Sequence, residues 1–285
     1  MKQIVIISGK GGTGKTVLTG AFAASAKNHV MADCDVDAAD LHLLLNPTIK
    51  EKHIFKSGFT AAIDPMRCIH CLKCIKACRF DAIDNSLRVD PISCEGCGFC
   101  YHLCPAKAIQ MTENTSGEWF ISETRFGPFV HAKLGVAEEN SGKLVSLVRK
   151  QAQELASKQN KDLIIIDGAP GIGCPVIACI SNTDCAIVVT EPTLSGLHDA
   201  KRVIEVAQHF GVPVKFVINK FNLNEEMTKT IEQYAKDNHL SVIGKIPFDQ
   251  VIVESVVNGQ TIMEMPNCAG LQNIIKEIWD RLNFI

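Results

Sequence analysis

Nothing in the 285-residue sequence approaches the run of roughly 20 apolar residues that a membrane-spanning helix requires, which argues against a transmembrane protein. Neither sign of charge is in excess. The 29 Lys and Arg residues stand against 31 Asp and Glu, with no block of like charge, so the sequence carries no footprint for nucleic acid and no charged tail. The opening residues, MKQIVIIS, are too short an apolar run for a secretion signal, lack a small-residue cleavage site and lead straight into glycines. A cytoplasmic chain is expected. Histidine is equally uninformative: His70 and His102 read as spacers between cysteines, and no histidine pairs with another ligand at a fixed spacing. What the chain does have is cysteine, 13 in all, eight of them in two evenly spaced runs within residues 53–112. Clustering of that kind signals metal ligation rather than disulfides.

Outside that segment, short apolar runs alternate with helical patterns. QIVIIS, HVMADCD, DLIIID, CAIVVT, VKFVIN and LSVIGKI read as strands. EWFISET and GPFVHAKL read as a hairpin. Helices are expected over 16–25, 143–157 with Ser141 as cap, 195–209, 225–238 and 271–282. Alternation of this kind predicts an α/β fold, a mostly parallel sheet with helices on both faces, binding its ligand at the carboxyl ends of the strands. The expected division is a discontinuous domain of residues 1–52 and 113–285, with 53–112 inserted into it. The last helix carries Ile274, Ile275, Ile278 and Leu282 on one face, and Lys276 and Arg281 are offset by Glu277 and Asp280. It is expected to dock on the core rather than on a membrane.

SGKGGTGKT, residues 8–16, fits the phosphate-loop pattern through Gly9, Gly14, Lys15 and Thr16, between a strand and a helix. Backbone N–H groups of such a loop turn toward an anion, and the helix N-terminus adds its positive end. The candidate nucleotide-binding residues are Gly11, Gly12, Thr13, Gly14, Lys15, Thr16 and Val17. Lys15 would neutralise β- and γ-phosphate oxygens, and the Thr16 hydroxyl would bind Mg2+. Asp167 ends the strand LIIID, where a carboxylate belongs to hold the magnesium shell. Lys10 is a second loop lysine with no role in this account.

Cys68, Cys71, Cys74 and Cys78 give C-x2-C-x2-C-x3-C. Cys94, Cys97, Cys100 and Cys104 repeat it at an offset of 26 residues (68 to 94, 78 to 104), with Pro105 following. Thiolates at this spacing wrap one 4Fe-4S cluster, and the fourth ligand comes from the opposite run. One cluster is therefore assigned to Cys68, Cys71, Cys74 and Cys104, the other to Cys94, Cys97, Cys100 and Cys78. Structural zinc is the alternative, better suited to isolated C-x2-C pairs. The segment resembles the small α+β bacterial two-cluster ferredoxins, except that Arg79 stands where a proline would follow the first run.

The remainder, with KGGTGKT, DCD, DGAPGIG and VINK, resembles the deviant Walker A P-loop ATPases of the MinD, ParA and Mrp class, relatives of the nitrogenase iron protein. The whole resembles members of that superfamily with an inserted ferredoxin domain. The resemblance implies ATP/ADP and Mg2+ as ligands and a nucleotide-dependent homodimer, in which Lys10 reaches the other subunit's nucleotide. It also implies that Asp35 orients the attacking water with support from Asp33, that Gly168–Gly171 form a second switch, and that Asn219 reads the purine. Cys174 falls where the iron protein carries one of its two bridging-cluster cysteines, but Asn140 stands in the place of the other, so no bridging cluster is expected.

Two functions remain open at this point. In one, an ATPase dimer gates electron transfer from two 4Fe-4S clusters to a redox partner. In the other, the chain assembles or delivers clusters to an accepting protein, as Mrp relatives do. Spatial positioning of the MinD and ParA kind rests on the fold alone.

Overall fold

The structure is a computed structural model and describes residues 1–135 and 141–282. Its centre is β1 (Lys2–Ser8), flanked in parallel by β6 (Leu163–Pro170) and β7 (Cys185–Thr190), with Ile4 opposite both Ile165 and Cys185. Beyond β6 lie β2 (His29–Asp33), β5 (Gly127–Leu134), β4 (Ile109–Thr124) and β3 (Thr48–Ile63); beyond β7 lie β8 (Val214–Asn219) and β9 (Ser241–Ile246). The full order is β3-β4-β5-β2-β6-β1-β7-β8-β9. Ile4 to Ile7 and Ile164 to Ile166 are all within 1% of complete burial, so these strands read as unbroken apolar runs rather than alternating ones.

Helices clothe this sheet. α1 (Lys15–Ser25) follows the glycine loop, and its small face lets it approach closely: a Cβ on Gly20 would meet Leu44 at 3.2 Å. Leu44 belongs to the short α2 (Leu41–Leu45). The longer helices are α5 (Ser141–Lys158), α7 (Leu194–His209) and α8 (Glu225–Asp237), and two short ones are α6 (Cys174–Ile180) and α9 (Gln250–Val257). Ser141 is the first residue of α5 and not the cap before it. Asn224 caps α8 by accepting from the Met227 amide, while Glu225 and Glu226 sit in its first turn and Lys236 in its last, as the helix dipole favours. The final helix, α10 (Ala269–Asp280), buries Leu271, Ile275 and Ile278 in the core, and Trp279 packs on Phe22 at 5.1 Å.

The chain forms two compact units, and residues 54–118 make up most of the second, so β3 and β4 run from one unit into the other. The second unit has few buried apolar side chains, chiefly Ala82, Ile83, Ala108 and Ile109. Its regular elements are the last part of β3, the first part of β4 and two five-residue helices, α3 (Lys73–Ala77) and α4 (Phe99–Leu103), which lie 26 residues apart like the cysteines. The backbone repeats with them. Positive φ angles occur at His70 and Gly96, at Leu72 and Gly98, and at Asp81 and Lys107. Cys78 and Cys104 end the two helices with nearly the same extended geometry, φ −73° and −71°.

Candidate nucleotide site and cysteine cavity

The glycine loop joins β1 to α1, so its amides stand at the carboxyl end of the central strand. Gly11 and Gly12 are exposed, and a Cβ at either would meet nothing within 4 Å. Gly14 differs. Its φ of +92° suits only glycine, and a Cβ there would collide with the Asn219 side-chain amide, which donates to the Thr13 carbonyl at 2.7 Å. Asn219, at the end of β8, therefore holds the loop itself. Lys220, next in sequence, donates to the Gly12 carbonyl at 2.9 Å.

Three carboxylates converge behind the loop: Asp33 ends β2, Asp35 follows it, and Asp167 lies within β6, which runs on to Pro170 instead of ending at the aspartate as the sequence suggested. Lys15 Nζ lies 3.0 Å from Asp167 Oδ1 and 3.2 Å from Asp35 Oδ2. Asp167 also accepts from Thr16 Oγ1 at 2.7 Å and from Thr19 Oγ1 at 3.0 Å. Asp33, fully buried, accepts the amides of Asp35 at 3.1 Å and Leu41 at 3.3 Å, which fixes the turn that carries Asp35. Burial alone would discharge Lys15, but the carboxylates of Asp167, Asp35 and Asp33 outweigh it and hold its ammonium above the ordinary range. Burial, with the charge of Asp167, drives Asp33 well above the usual carboxylate range despite Lys15. Burial also raises Asp35, opposed by Lys15. The Thr16 hydroxyl beside the Asp167 oxygens is a hard-oxygen set that fits Mg2+.

Lys10 is engaged within its own chain. Its Nζ lies 2.6 Å from Glu191 Oε1 and 3.2 Å from Ser195 Oγ, while Lys220 Nζ takes Glu191 Oε2 at 3.1 Å. Glu191 sits between β7 and the Thr193 cap of α7, and burial raises its carboxyl less than the two lysines lower it. Sequence reasoning missed Glu191, Lys220 and Thr19. Lys220 ends VINK and Glu191 opens EPTLSGLHD, both stretches that resemble the superfamily, but neither residue was given a role; Thr19 carried no signal. Beyond the loop, an apolar cavity of about 310 Å3 is bounded by Gly14, Val17, Asn219, Phe248, Ile252 and Val256. Its position beside Asn219 suits a planar base.

The cysteine runs lie in the second unit. Burial raises the thiols of Cys74 and Cys100, and each also feels the other two leading cysteines of its own run, Cys68 and Cys71 or Cys94 and Cys97. A separate cavity is lined by Cys94, Cys97 and Cys100 together with Cys78 from the opposite run, among Phe80, Ile83 and Val89. Cys104 Sγ accepts the Ala108 amide at 3.3 Å. Thiolate donors in a largely apolar cavity suit an iron–sulfur cluster. Among the described residues no three His, Cys, Asp or Glu side chains converge on a point that would hold a single metal ion. Of the five remaining cysteines, Cys34, Cys179, Cys185 and Cys268 are buried, and Cys174 is exposed at the start of α6, beside Gly142 of α5. Asn140 lies outside the described residues.

A phosphate-type loop on the central strand of a parallel sheet, with acidic residues on the neighbouring strands β2 and β6 behind it, defines a P-loop nucleotide-binding protein. Residues 4–262 match the family model described as the CobQ/CobB/MinD/ParA nucleotide binding domain, and the chain belongs to this nucleotide-binding ATPase superfamily. It is 33% identical over 285 residues to an uncharacterised protein of Methanocaldococcus jannaschii, covering 98% of this chain and 96% of that one. It is 25% identical over 289 residues to the septum site-determining protein MinD of Bacillus subtilis, covering 97% and 88%. It is 42% identical over an alignment of 74 residues to pyruvate synthase subunit PorD of Methanothermobacter marburgensis, covering 24% of this chain and 91% of that one. The fold resembles MinD of Pyrococcus horikoshii complexed with Mg-ADP, with a TM-score of 0.59 at 19% identity over 99% of this chain and 96% of that one. No described helix is long and apolar enough to cross a membrane.

Proposed function

We propose that the chain is an iron–sulfur ATPase, in which ATP binding and Mg2+-dependent hydrolysis switch a homodimer between states and so gate electron transfer between two 4Fe-4S clusters and a partner protein. The observation that carries this reading is the cavity that brings Cys78 together with Cys94, Cys97 and Cys100, the set that cross-ligation demands. Cys68, Cys71, Cys74 and Cys104 would hold the other cluster. When bound, each cluster supplies a one-electron carrier. PorD similarity over 74 residues, where the MinD relatives supply the ATPase likeness, supports a composite chain.

In the nucleotide half, Lys15 exchanges its carboxylate partners for phosphate oxygens, leaving the Asp167 carboxylate and the Thr16 hydroxyl to hold Mg2+. Asp35, fixed by Asp33, orients the attacking water through its carboxylate. Lys10 leaves Glu191 to reach the nucleotide of the second subunit. A cluster-delivery role is less well supported, because complete sets of four cysteines within one chain describe retained clusters. MinD/ParA-like positioning is the second reading, favoured by the 25% identity to MinD along 97% of the chain.

Anaerobic purification with iron counting and electron paramagnetic resonance tests the proposal. About eight iron atoms per chain are expected, with a low-potential signal that changes when ATP is added. Stoichiometric zinc, or iron–sulfur signals indifferent to nucleotide, would overturn it.

A further inference from the structure

The two halves of the cysteine-bearing unit share one backbone, so each serves as a control for the other. Features that both carry are what the fold needs, and features confined to one half serve something else. The first run is edged by Arg67, Lys73, Lys76 and Arg79, all exposed; the positions 26 residues on hold Ser93, Phe99, His102 and Pro105. None of the four cations makes a side-chain hydrogen bond or ion pair among the described residues. Since α4 forms without them, the four charges are not a requirement of the fold.

Leu72 is the second difference. It takes φ +58° and ψ 11°, where its counterpart Gly98 takes φ +72° and ψ 1°. This left-handed conformation is strained for a leucine and natural for glycine. A Cβ at Gly98 would touch nothing within 4 Å, so neighbouring atoms do not dictate the choice. Leu72 is nevertheless 43% exposed; Ile69 at 64% and Met66 at 92% lie near it in sequence, and the second half exposes apolar residues as well, Ile92 at 77% and Phe99 at 58%, so the cations are what sets the first run apart. A strained side chain left half in water gains little from folding. Interleaved with unpaired cations, it has the character of an interface centre with a charged rim.

We infer that the surface carrying Arg67, Leu72, Lys73, Lys76 and Arg79 docks an acidic redox protein of small ferredoxin type. Unpaired cations supply the charge complementarity, since an acidic surface satisfies them and steers the encounter. The apolar residues supply contact area. Placement around Cys68, Cys71 and Cys74 brings the partner to one of the two thiolate sets. The choice of a redox partner rests on the proposed electron-transfer function, whereas the location and charge of the face do not.

The test uses the full chain, purified anaerobically with its iron, and a purified small acidic ferredoxin as probe. Binding is measured by surface plasmon resonance at about 20 and about 200 mM salt. Affinity should fall about tenfold across that range, and Lys73→Glu/Lys76→Glu should weaken it about tenfold again. Phe99→Glu/His102→Glu, at the sister positions, should change it less than about twofold. Leu72→Asn relieves the backbone, because asparagine tolerates the left-handed region, and should keep iron content and melting temperature while weakening binding. No binding of the probe overturns the inference. So does binding indifferent to the first-run substitutions, or duplex DNA or phosphatidylserine vesicles taking the probe's place on the same lysines. Electron exchange with the probe is read separately, by mixing the reduced probe with the oxidised chain and following absorbance. Docking on this face without exchange would sink the electron-transfer reading and leave the docking face standing; exchange unaffected by the first-run substitutions would do the reverse.

Discussion

At the scale of single residues, the two loop lysines occupy different environments. Lys15 is almost fully buried among carboxylates, while Lys10 lies partly exposed on Glu191. Lys15→Ala should abolish nucleotide binding measured by calorimetry. Lys10→Ala should leave binding to the monomer largely intact and prevent both dimer formation and hydrolysis, read by sedimentation and phosphate release. Equal loss of binding in both variants would remove the role of Lys10 across the dimer. Glu191→Gln releases the clasp on Lys10 and Lys220. A partly exposed pair of this kind contributes up to about 1 kcal/mol, so the ATP concentration needed for dimers should fall by up to about fivefold. A variant that instead requires more ATP would show that Glu191 supports the dimer.

At the scale of elements, β2 and β5 carry two buried histidines whose protonation the fold resists. His29 is 2% exposed, with neither ring nitrogen partnered among the described residues; burial, and then the charge of Lys161, lowers its pKa to about 4. His131 stacks on Phe129 at 4.5 Å and shares a hydrogen bond with Ser122; burial, and then His42, lowers it to about 4. Between pH 6.5 and 4 the unfolded chain binds protons there that the folded chain refuses. The stabilisation is complete above the ordinary value near 6.5 and is lost as the pH falls toward 4, by about 3 kcal/mol for each histidine. Urea midpoints should drop over that window, and His29→Gln should flatten the drop. Unchanged midpoints would mean that these strands open without unfolding the rest.

The cross-run cysteines belong to the same scale. If the proposed clusters are present, Cys78→Ala should damage the one assigned to the Cys94 run, and Cys104→Ala the one assigned to the Cys68 run, each read by resonance spectra of the remaining cluster. Damage within the variant's own run would contradict the Cys78 cavity. What the structure repeats at the same 26-residue offset is the backbone of this segment, and that much was readable because a short sequence repeat fixes a local geometry. The same holds for the glycine loop and for strands such as LIIID, whose apolar runs report burial on both faces. β3 was missed because its exposed half, TIKEKH, has no apolar pattern, and α2, α6 and α9 because five to eight residues show little helical period. The role of Glu191 was not legible for another reason. Its two lysines lie far from it in sequence at positions 10 and 220, and only the completed sheet brings them together.

For the whole molecule, the proposed dimer places Cys174 where two chains would meet. With ATP bound and hydrolysis blocked, a bifunctional thiol crosslinker should join wild-type chains and fail with Cys174→Ser. Crosslinking that ignores both nucleotide and Cys174 would reject the arrangement. A different consequence follows from how far apart the loop's partners lie along the chain. Lys15 reaches Asp167 across 152 residues, and Asn219 reaches Thr13 across 206. During synthesis the glycine loop leaves the ribosome well before these partners, and it stays without their support until the strand ending at Asn219 has emerged and paired. Contacts so distant in sequence form late. Nucleotide capture therefore waits on synthesis through Asn219: a nascent chain cut short before it carries every residue of the glycine motif and still lacks the bond that holds Thr13.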